Sequence, residues 1–436
     1  LALPRPARAA EWEEAKGFFR QAQKAPDWRE RKDAFVRLME FDRAEAVAEV
    51  LAALGRESNP AVLLMGIDAL ASFQSPGAKA ALVEAARKGR GAEQLYVLVA
   101  LEKHTGPDVE KLLLDVAKAG PPPAAAQAAL DLARHKTRDA TAALLALLGH
   151  GSWQVRAAAA RSLGAHGAKE ALGPLAAALE TERGRARADL VAALEAISKE
   201  KLGYDPPAWK RLAAGDAPAS IAKAPREIPS AFGVPIYGER VVVCLDDSLR
   251  MGDPHPFGER DRLVELCSPK DGAPINWIRI KSIQAFAHAH VRHLVQGLAT
   301  GVKFEVLVYN ETVHGVFGGR LTSLNAGTRK AVADALDALK PDNGIAAYPA
   351  LVQALDVAGP SDGTAWKSGP DEVMFIGAST PTAGEITEAD VIAAAIALKA
   401  RLRMVPIHTV GIHTHPYDMH RAIAERTGGV YVDLTK

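Results

Sequence analysis

Val241-Val242-Val243-Cys244-Leu245-Asp246-Asp247-Ser248-Leu249-Arg250-Met251 is an apolar run that stops abruptly at two carboxylates, a hydroxyl and a guanidinium. A short β-branched run without polar alternation is the pattern of a strand buried on both faces, as in a parallel sheet. Open sheets of that kind gather ligands beyond the carboxyl ends of their strands, so the polar residues that end this run are the first place to look for function.

Downstream, β-branched runs keep alternating with amphipathic helices. Residues 241–245, 302–309, 373–376 and 405–410 read as buried strands, and 313–317 and 429–433 as edge strands. Between them the apolar spacing predicts helices at 278–297, 325–339, 348–357, 388–401 and 418–427. Such alternation makes residues 239–436 an α/β doubly wound, Rossmann-like domain with a mostly parallel sheet.

Three segments then carry a resemblance. The 241–251 stretch is similar to the opening of a von Willebrand factor A (VWA) domain, whose first strand ends in Asp-x-Ser-x-Ser; 303–310 resembles its second strand and 424–432 its usual ending. In that family the carboxyl edge holds a divalent cation such as Mg²⁺ on oxygens from three loops, completed by an acidic residue of the partner. A hard cation needs carboxylate, hydroxyl and water oxygens. By the resemblance, Asp246 and Ser248 keep their ligand positions, whereas Arg250 replaces the second serine, Ile345 the threonine of the second loop and Ala378 the aspartate of the third. Asp246 and Ser248 are thus expected to be vestigial, the site degenerate and metal-free, and Arg250 is expected to pair with Asp246 in place of the ion.

Other candidate chemistry lies along the chain. Asp253, His255, His413, His415, Asp418 and His420 fall near one edge of the expected sheet and suit a transition metal by type; a solvated interaction rim of Asp253, His255, His413 and His415 is the preferred reading. His288, His290 and His293 are expected on a partly exposed helical face. Gly359-Pro360-Ser361-Asp362-Gly363 matches the nucleophile-elbow pattern but follows a helix, where the elbow needs a strand before it. No phosphate loop, paired-cysteine zinc pattern or dinucleotide fingerprint occurs, so neither an enzyme nor a cofactor is expected.

The first half has a different rhythm. Breaks recur about every 31 residues, at Asp27, Pro60, Gly91, Pro122, Ser152 and Arg185, each opening a helix, turn, helix unit. This is similar to HEAT repeats, and residues 1–212 are expected to form an all-α HEAT-like solenoid of about six repeats, because one such hairpin cannot bury its own apolar faces. Residues 11–23 predict an extra helix, Trp28, Phe35, Leu38 and Phe41 an amino-terminal cap, and Trp209 a closing one. Arg156, Arg161, Arg183, Arg185 and Arg187 cluster in the last units; an ordinary solvated face is preferred over a binding stripe. Residues 213–238, with Pro218, Pro225, Pro229 and Pro235, read as a linker.

The 436 residues suit this multidomain plan, and the arrangement resembles bacterial proteins in which HEAT-like repeats precede a VWA domain. A net charge of +1, with 24% charged residues, lacks the basic excess of a nonspecific nucleic-acid binder. No apolar run reaches the roughly 18 residues of a membrane span. The two cysteines, Cys244 and Cys267, argue against a disulfide framework, and the Leu1 start with Pro4 and Pro6 inclines slightly towards export or the cell envelope. Together these features predict a noncatalytic adaptor or assembly scaffold that binds protein partners, with self-association into a homo-oligomer or filament. Cation-dependent adhesion through a rebuilt site and membership of an RNA-binding particle are the alternatives.

Overall fold

A computed structural model describes residues 5–216, 228–254, 275–277, 280–357 and 364–435. By contact the chain divides into two compact units, Leu1–Leu175 with Ala193–Lys199, and Ala176–Ala192 with Glu200–Lys436. The chain is multidomain, a HEAT-like helical array followed by an α/β doubly wound domain.

The array opens with α1 (Arg5–Ala22) and continues as helical hairpins: α2 (Trp28–Leu38) and α3 (Ala44–Leu54), α4 (Pro60–Ser72) and α5 (Pro76–Lys88), α6 (Gly91–Leu101) and α7 (Pro107–Ala119), α8 (Pro122–Leu132) and α9 (Arg138–Leu147), α10 (Trp153–His166) and α11 (Leu172–Thr181), α12 (Ala186–Ser198) and α13 (Pro206–Ala213). The starts are written in the sequence. Asp27, Asn59, Ser75, Thr137 and Asp205 each accept a backbone N–H of the following first turn, and proline fills first-turn positions of α4, α5, α7 and α8, where its missing N–H costs nothing. First helices pack in one row, α2 to α4 to α6 to α8 to α10, and second helices in another, α3 to α5 to α7 to α9. Alanine makes the close approach: Ala124, Ala125, Ala126, Ala128 and Ala129 of α8 and Ala157 to Ala160 of α10 are all buried.

At the amino-terminal end Phe35 and Leu38 are fully buried as expected, but the covering surface comes from α1, whose Trp12 packs on Phe41 and Phe19 on Phe35. Trp28 lies half-buried under the cations of Arg29 and Lys32. At the other end Trp209 is 1% exposed and its indole N–H donates to the Gly203 carbonyl. The arginines expected on a solvated face are only partly so: Arg156, Arg161 and Arg187 are half-buried. Arg185 is buried in an ion pair with Asp189, Arg187 stacks on Tyr204 and Arg156 donates to the His150 carbonyl, leaving Arg183 exposed.

The α/β domain contains β1 (Ser230–Ala231), β2 (Val234–Pro235), β3 (Arg240–Asp246), α14 (Ile283–Gly297), β4 (Lys303–Tyr309), β5 (Val313–Gly315), β6 (Thr322–Ser323), α15 (Ala326–Ala338), α16 (Ala347–Asp356), α17 (Thr364–Ser368), β7 (Glu372–Gly377), α18 (Ala389–Arg401), β8 (Ile407–Gly411), α19 (Tyr417–Thr427) and β9 (Tyr431–Asp433). The main sheet runs β5-β4-β3-β7-β8-β9, with β6 also on β4. The four inner pairings are parallel, and β5 and β6 add antiparallel at the outer edge of β4. One face, with Val241, Val243, Leu245, Phe304 and Val306, packs on Phe286, Val291 and Leu294 of α14 and Val332 and Leu336 of α15. The other, with Val242, Cys244, Leu307 and Phe375, packs on Leu351 and Leu355 of α16, Ile392 and Ile396 of α18 and Ile423 of α19.

Two features differ from expectation. The end of the proline-rich stretch is a β1–β2 hairpin whose Phe232, Val234 and Ile236 belong to the domain core, with Pro235 on an edge where its missing N–H is tolerated. His288 and His290 are buried, not partly exposed. The His290 ring stacks on Phe232 at 4.2 Å, and its Nδ1 accepts the Phe232 N–H at 3.3 Å, so α14 clamps the hairpin.

Candidate functional site

Strand β3 is the point where the sheet changes direction: the chain leaves it for β4 on one side and returns to β7 on the other. Ligand crevices of doubly wound sheets open there. Asp246 is the last residue of β3 and is wholly buried. Its Oδ1 accepts the Ser248 N–H at 2.8 Å and its Oδ2 the Ala378 N–H at 2.8 Å. Burial nevertheless dominates and raises its pKa, against the lowering effect of these bonds. Ser248 Oγ is close enough to lower that pKa, yet it is buried without a hydrogen-bond partner of ordinary geometry among the described residues.

Arg250 does not replace an ion. Its side chain is 60% exposed and turns to Asp253, Nη1 to Oδ2 3.4 Å, while Asp246 is served by backbone amides. The expected Arg250–Asp246 pair is therefore corrected: the 3-10 turn Leu249–Gly252 that follows β3 carries residue 250 outwards. Ile345 is 9% exposed and Ala378 fully buried, each in an apolar cluster. The Ile345 carbonyl accepts the N–H groups of Thr382 and Ala383 and so ties the second loop to the third. Gly344 has φ +81°, and a Cβ there would lie 2.6 Å from the Glu311 Cα, so only glycine lets that loop close over the end of β4.

Further residues complete the crevice, among them His420 of the set weighed for a transition metal and others to which the sequence reading gave no role. Asp247, 3% exposed, accepts from Gln284 Nε2 of α14 at 2.9 Å. Burial pushes its pKa up to about 6; the Gln284 bond opposes the rise, and the charges of Asp246 and Asp342 reinforce it. Ser379 Oγ, next to Ala378, is a second buried hydroxyl without a partner among the described residues. The buried Tyr309 hydroxyl donates to the Ile376 carbonyl at 2.9 Å. His420 is fully buried against Phe375 and His415, and burial pulls its pKa down to about 3. The signal for the hydroxyl was present: Ser379 stands in the same loop as Ala378.

The rim residues separate. Asp253 approaches His413, Oδ2 to Nε2 3.9 Å, besides Arg250. His415 Nδ1–H donates to the His413 carbonyl, which leaves Nε2 to accept from the Tyr431 hydroxyl at 2.6 Å. Its ring lies so close to Gly411 that a Cβ there would sit 2.1 Å from Nε2. Asp418 pairs with Arg421 on α19. Among the described residues no three His, Cys, Asp or Glu side chains converge as a metal site would require. His255, Cys267, most of the 252–277 insertion and the Gly359–Gly363 loop lie outside the described residues.

Away from this edge the domain buries further carboxylates. Glu305, in the middle of β4, accepts N–H bonds from Val306 and Phe317 on Oε1 and from Arg320 on Oε2. Burial raises its pKa against these bonds. At the opposite ends of the strands Glu372 accepts the N–H groups of Tyr237 and Gly238 and the Nε2–H of His408, whose Nδ1 accepts from Val430 N–H. Asp371 beside it accepts from Arg240 N–H, and burial brings its pKa up to about 6.

Residues 110–195 match the family model described as HEAT repeats. No curated protein matches the chain. Among solved structures, a von Willebrand factor type A protein from Catenulispora acidiphila aligns over 47% of this chain and 40% of its own, at 17% identity and a TM-score of 0.32. Human deoxyhypusine hydroxylase in complex with glycerol aligns over 45% of this chain and 92% of its own, at 17% identity and a TM-score of 0.25. Proximal thread matrix protein 1 from the mussel byssus aligns over 55% and 52%, at 12% identity and a TM-score of 0.29. Likeness of this degree says nothing of role or ligand. Among the described residues no helix is long and apolar enough to cross a membrane.

Proposed function

We propose that the chain is a noncatalytic adaptor or structural assembly protein, in which the HEAT-like array and the VWA-like domain each offer a surface to protein partners, and that the second surface works without a metal ion. The supporting observation is the donor set at the end of β3. Asp246 gives both its oxygens to backbone N–H groups, and Ile345 and Ala378 put apolar side chains where a hard cation would need oxygens. Exposed Arg250 and the half-buried Asp253 and His413 then form a polar rim, beside Leu249, which is 54% exposed. Recognition at such an edge rests on shape and side-chain contacts.

Calorimetry of the full chain with Mg²⁺, Mn²⁺, Ca²⁺ and Zn²⁺ tests the metal-free part: heats equal to dilution are expected, and a saturable isotherm lost in Asp246→Ala would overturn it. Light scattering behind size-exclusion chromatography tests self-association, which a strict monomer at high concentration would refute. One observation favours cation-dependent adhesion as the second reading. The unpartnered hydroxyls of Ser248 and Ser379 lie in the two loops whose N–H groups hold Asp246, so a rebuilt site would have oxygens to draw on.

A further inference from the structure

His104, His135 and His166 occupy the same place in three successive repeats, just after or at the end of the first helix. One repeat earlier that place holds Phe73, and one repeat later Ile197, both buried. The seat is thus an apolar core position filled by imidazole in the middle of the array. His104 is 1% exposed and His135 8%, and His166 is half-buried. Each leans on the preceding repeat. His166 Nε2–H donates to the Leu132 carbonyl in the last turn of α8 at 2.9 Å. His104 lies near the equivalent Leu70 carbonyl of α4, although neither of its ring nitrogens reaches hydrogen-bond geometry.

The surroundings of His104 and His135 favour neutral rings. His104 is faced by Lys79 of α5 and, more weakly, by Asp42 after α2; burial first and Lys79 second lower its pKa. His135 is faced by Glu110 of α7 at 3.8 Å, by Arg134 and by His166, and burial again outweighs the carboxylate and lowers its pKa. His166 is faced by Thr141 Oγ1 of α9 as well as by His135. Glu110 is itself engaged by the Thr137 hydroxyl that caps α9.

We propose that the middle of the array is an acid-sensitive latch: on gaining protons His104 and His135 leave their apolar seats and loosen the packing of α6, α8 and α10, while the Phe73 and Ile197 seats hold. A ring whose folded pKa lies below its unfolded value near 6.5 leaves stability intact above about pH 6.5 and erodes it as pH falls below that point. A partner bound along the array would then be released by acid while the α/β domain is not loosened.

Hydrogen exchange of the full chain, read by mass spectrometry and corrected for intrinsic rates, tests this between pH 7.5 and 5. Amides of α6, α8 and α10 should lose protection by up to about tenfold per pH unit for each imidazole expelled. The variant His104→Phe/His135→Phe/His166→Phe, which copies the Phe73 seat, should hold its protection across the same range. Equal loss in the variant, or none in the unaltered chain, would overturn the latch. If the triple variant does not fold, NMR titration of the imidazoles in the unaltered chain decides: midpoints for His104 and His135 below 6.5 support it, and midpoints at or above 6.5 sink it.

Discussion

The two halves bury polar groups in opposite ways. The α/β domain sinks carboxylates into its core and saturates them with backbone N–H groups: Asp246 joins β3 to the loop after β7, Glu305 gathers the 317–320 turn, and Glu372 fixes the segment entering β3. The helical array spends most of its N–H groups inside its helices and the first-turn remainder on caps, and among the polar groups it buries in its middle repeats are imidazoles held loosely, His104 with no ring-nitrogen partner among the described residues and His135 with Glu110 at 3.8 Å. Saturated groups specify a loop; loosely held ones leave a repeat responsive to its surroundings.

The largest expected effect tests the first half of that contrast. Glu305→Ala strands the N–H groups of Phe317 and Arg320 and should cost about 3 kcal/mol in urea unfolding of the α/β domain. A loss no greater than that of a surface substitution would mean that water satisfies the turn equally well. Next comes pH. Burial holds Asp247 and Asp371 near a pKa of about 6, above the unfolded aspartate value, so these groups stabilise the fold below about pH 4, and that contribution is lost as pH rises through 6. Asp247→Asn should therefore raise domain stability at pH 7.5 by about 2 kcal/mol and flatten its pH profile. The array should move the other way on acidification, which makes the two halves separable in one exchange experiment. The smallest effect is at the rim: Arg250→Ala should change stability by less than about 0.5 kcal/mol, because its contact with Asp253 is exposed. A large loss would revive a structural role for the guanidinium.

Much of this architecture was legible in the chain. The cap at Asp27 and the prolines at Pro60 and Pro122 mark helix starts because local chemistry alone decides them, and the β-branched runs at 241–245 and 373–376 are strands in the structure. Long-range effects were harder to read. The proline-rich stretch before Arg240 hid a hairpin, because Phe232 is held by His290, 58 residues away. His290 itself was within reach: Ile283, Phe286, Ala287, His290, Val291 and Leu294 follow the helical stripe that faces the core, and residue type obscured the spacing. At the candidate site Asp246 ends β3 and Ile345 and Ala378 stand in loops, but the direction of Arg250 did not follow from sequence. A 3-10 turn of one residue more or less aims a side chain inwards or out, and no composition rule fixes it. Ser379 was missed because attention went to the residue lost at Ala378 rather than to its neighbour.

The borders of the sheet bear on how copies of this chain could join. On one side stand β5 with three residues and β6 with two, and on the other β9 with three. Segments so short give an incoming chain almost no ladder to extend, so strand addition is disfavoured at the described edges of the folded domain. A fibre assembled through these borders would be a stack of intact folded bodies rather than a continuous cross-β sheet.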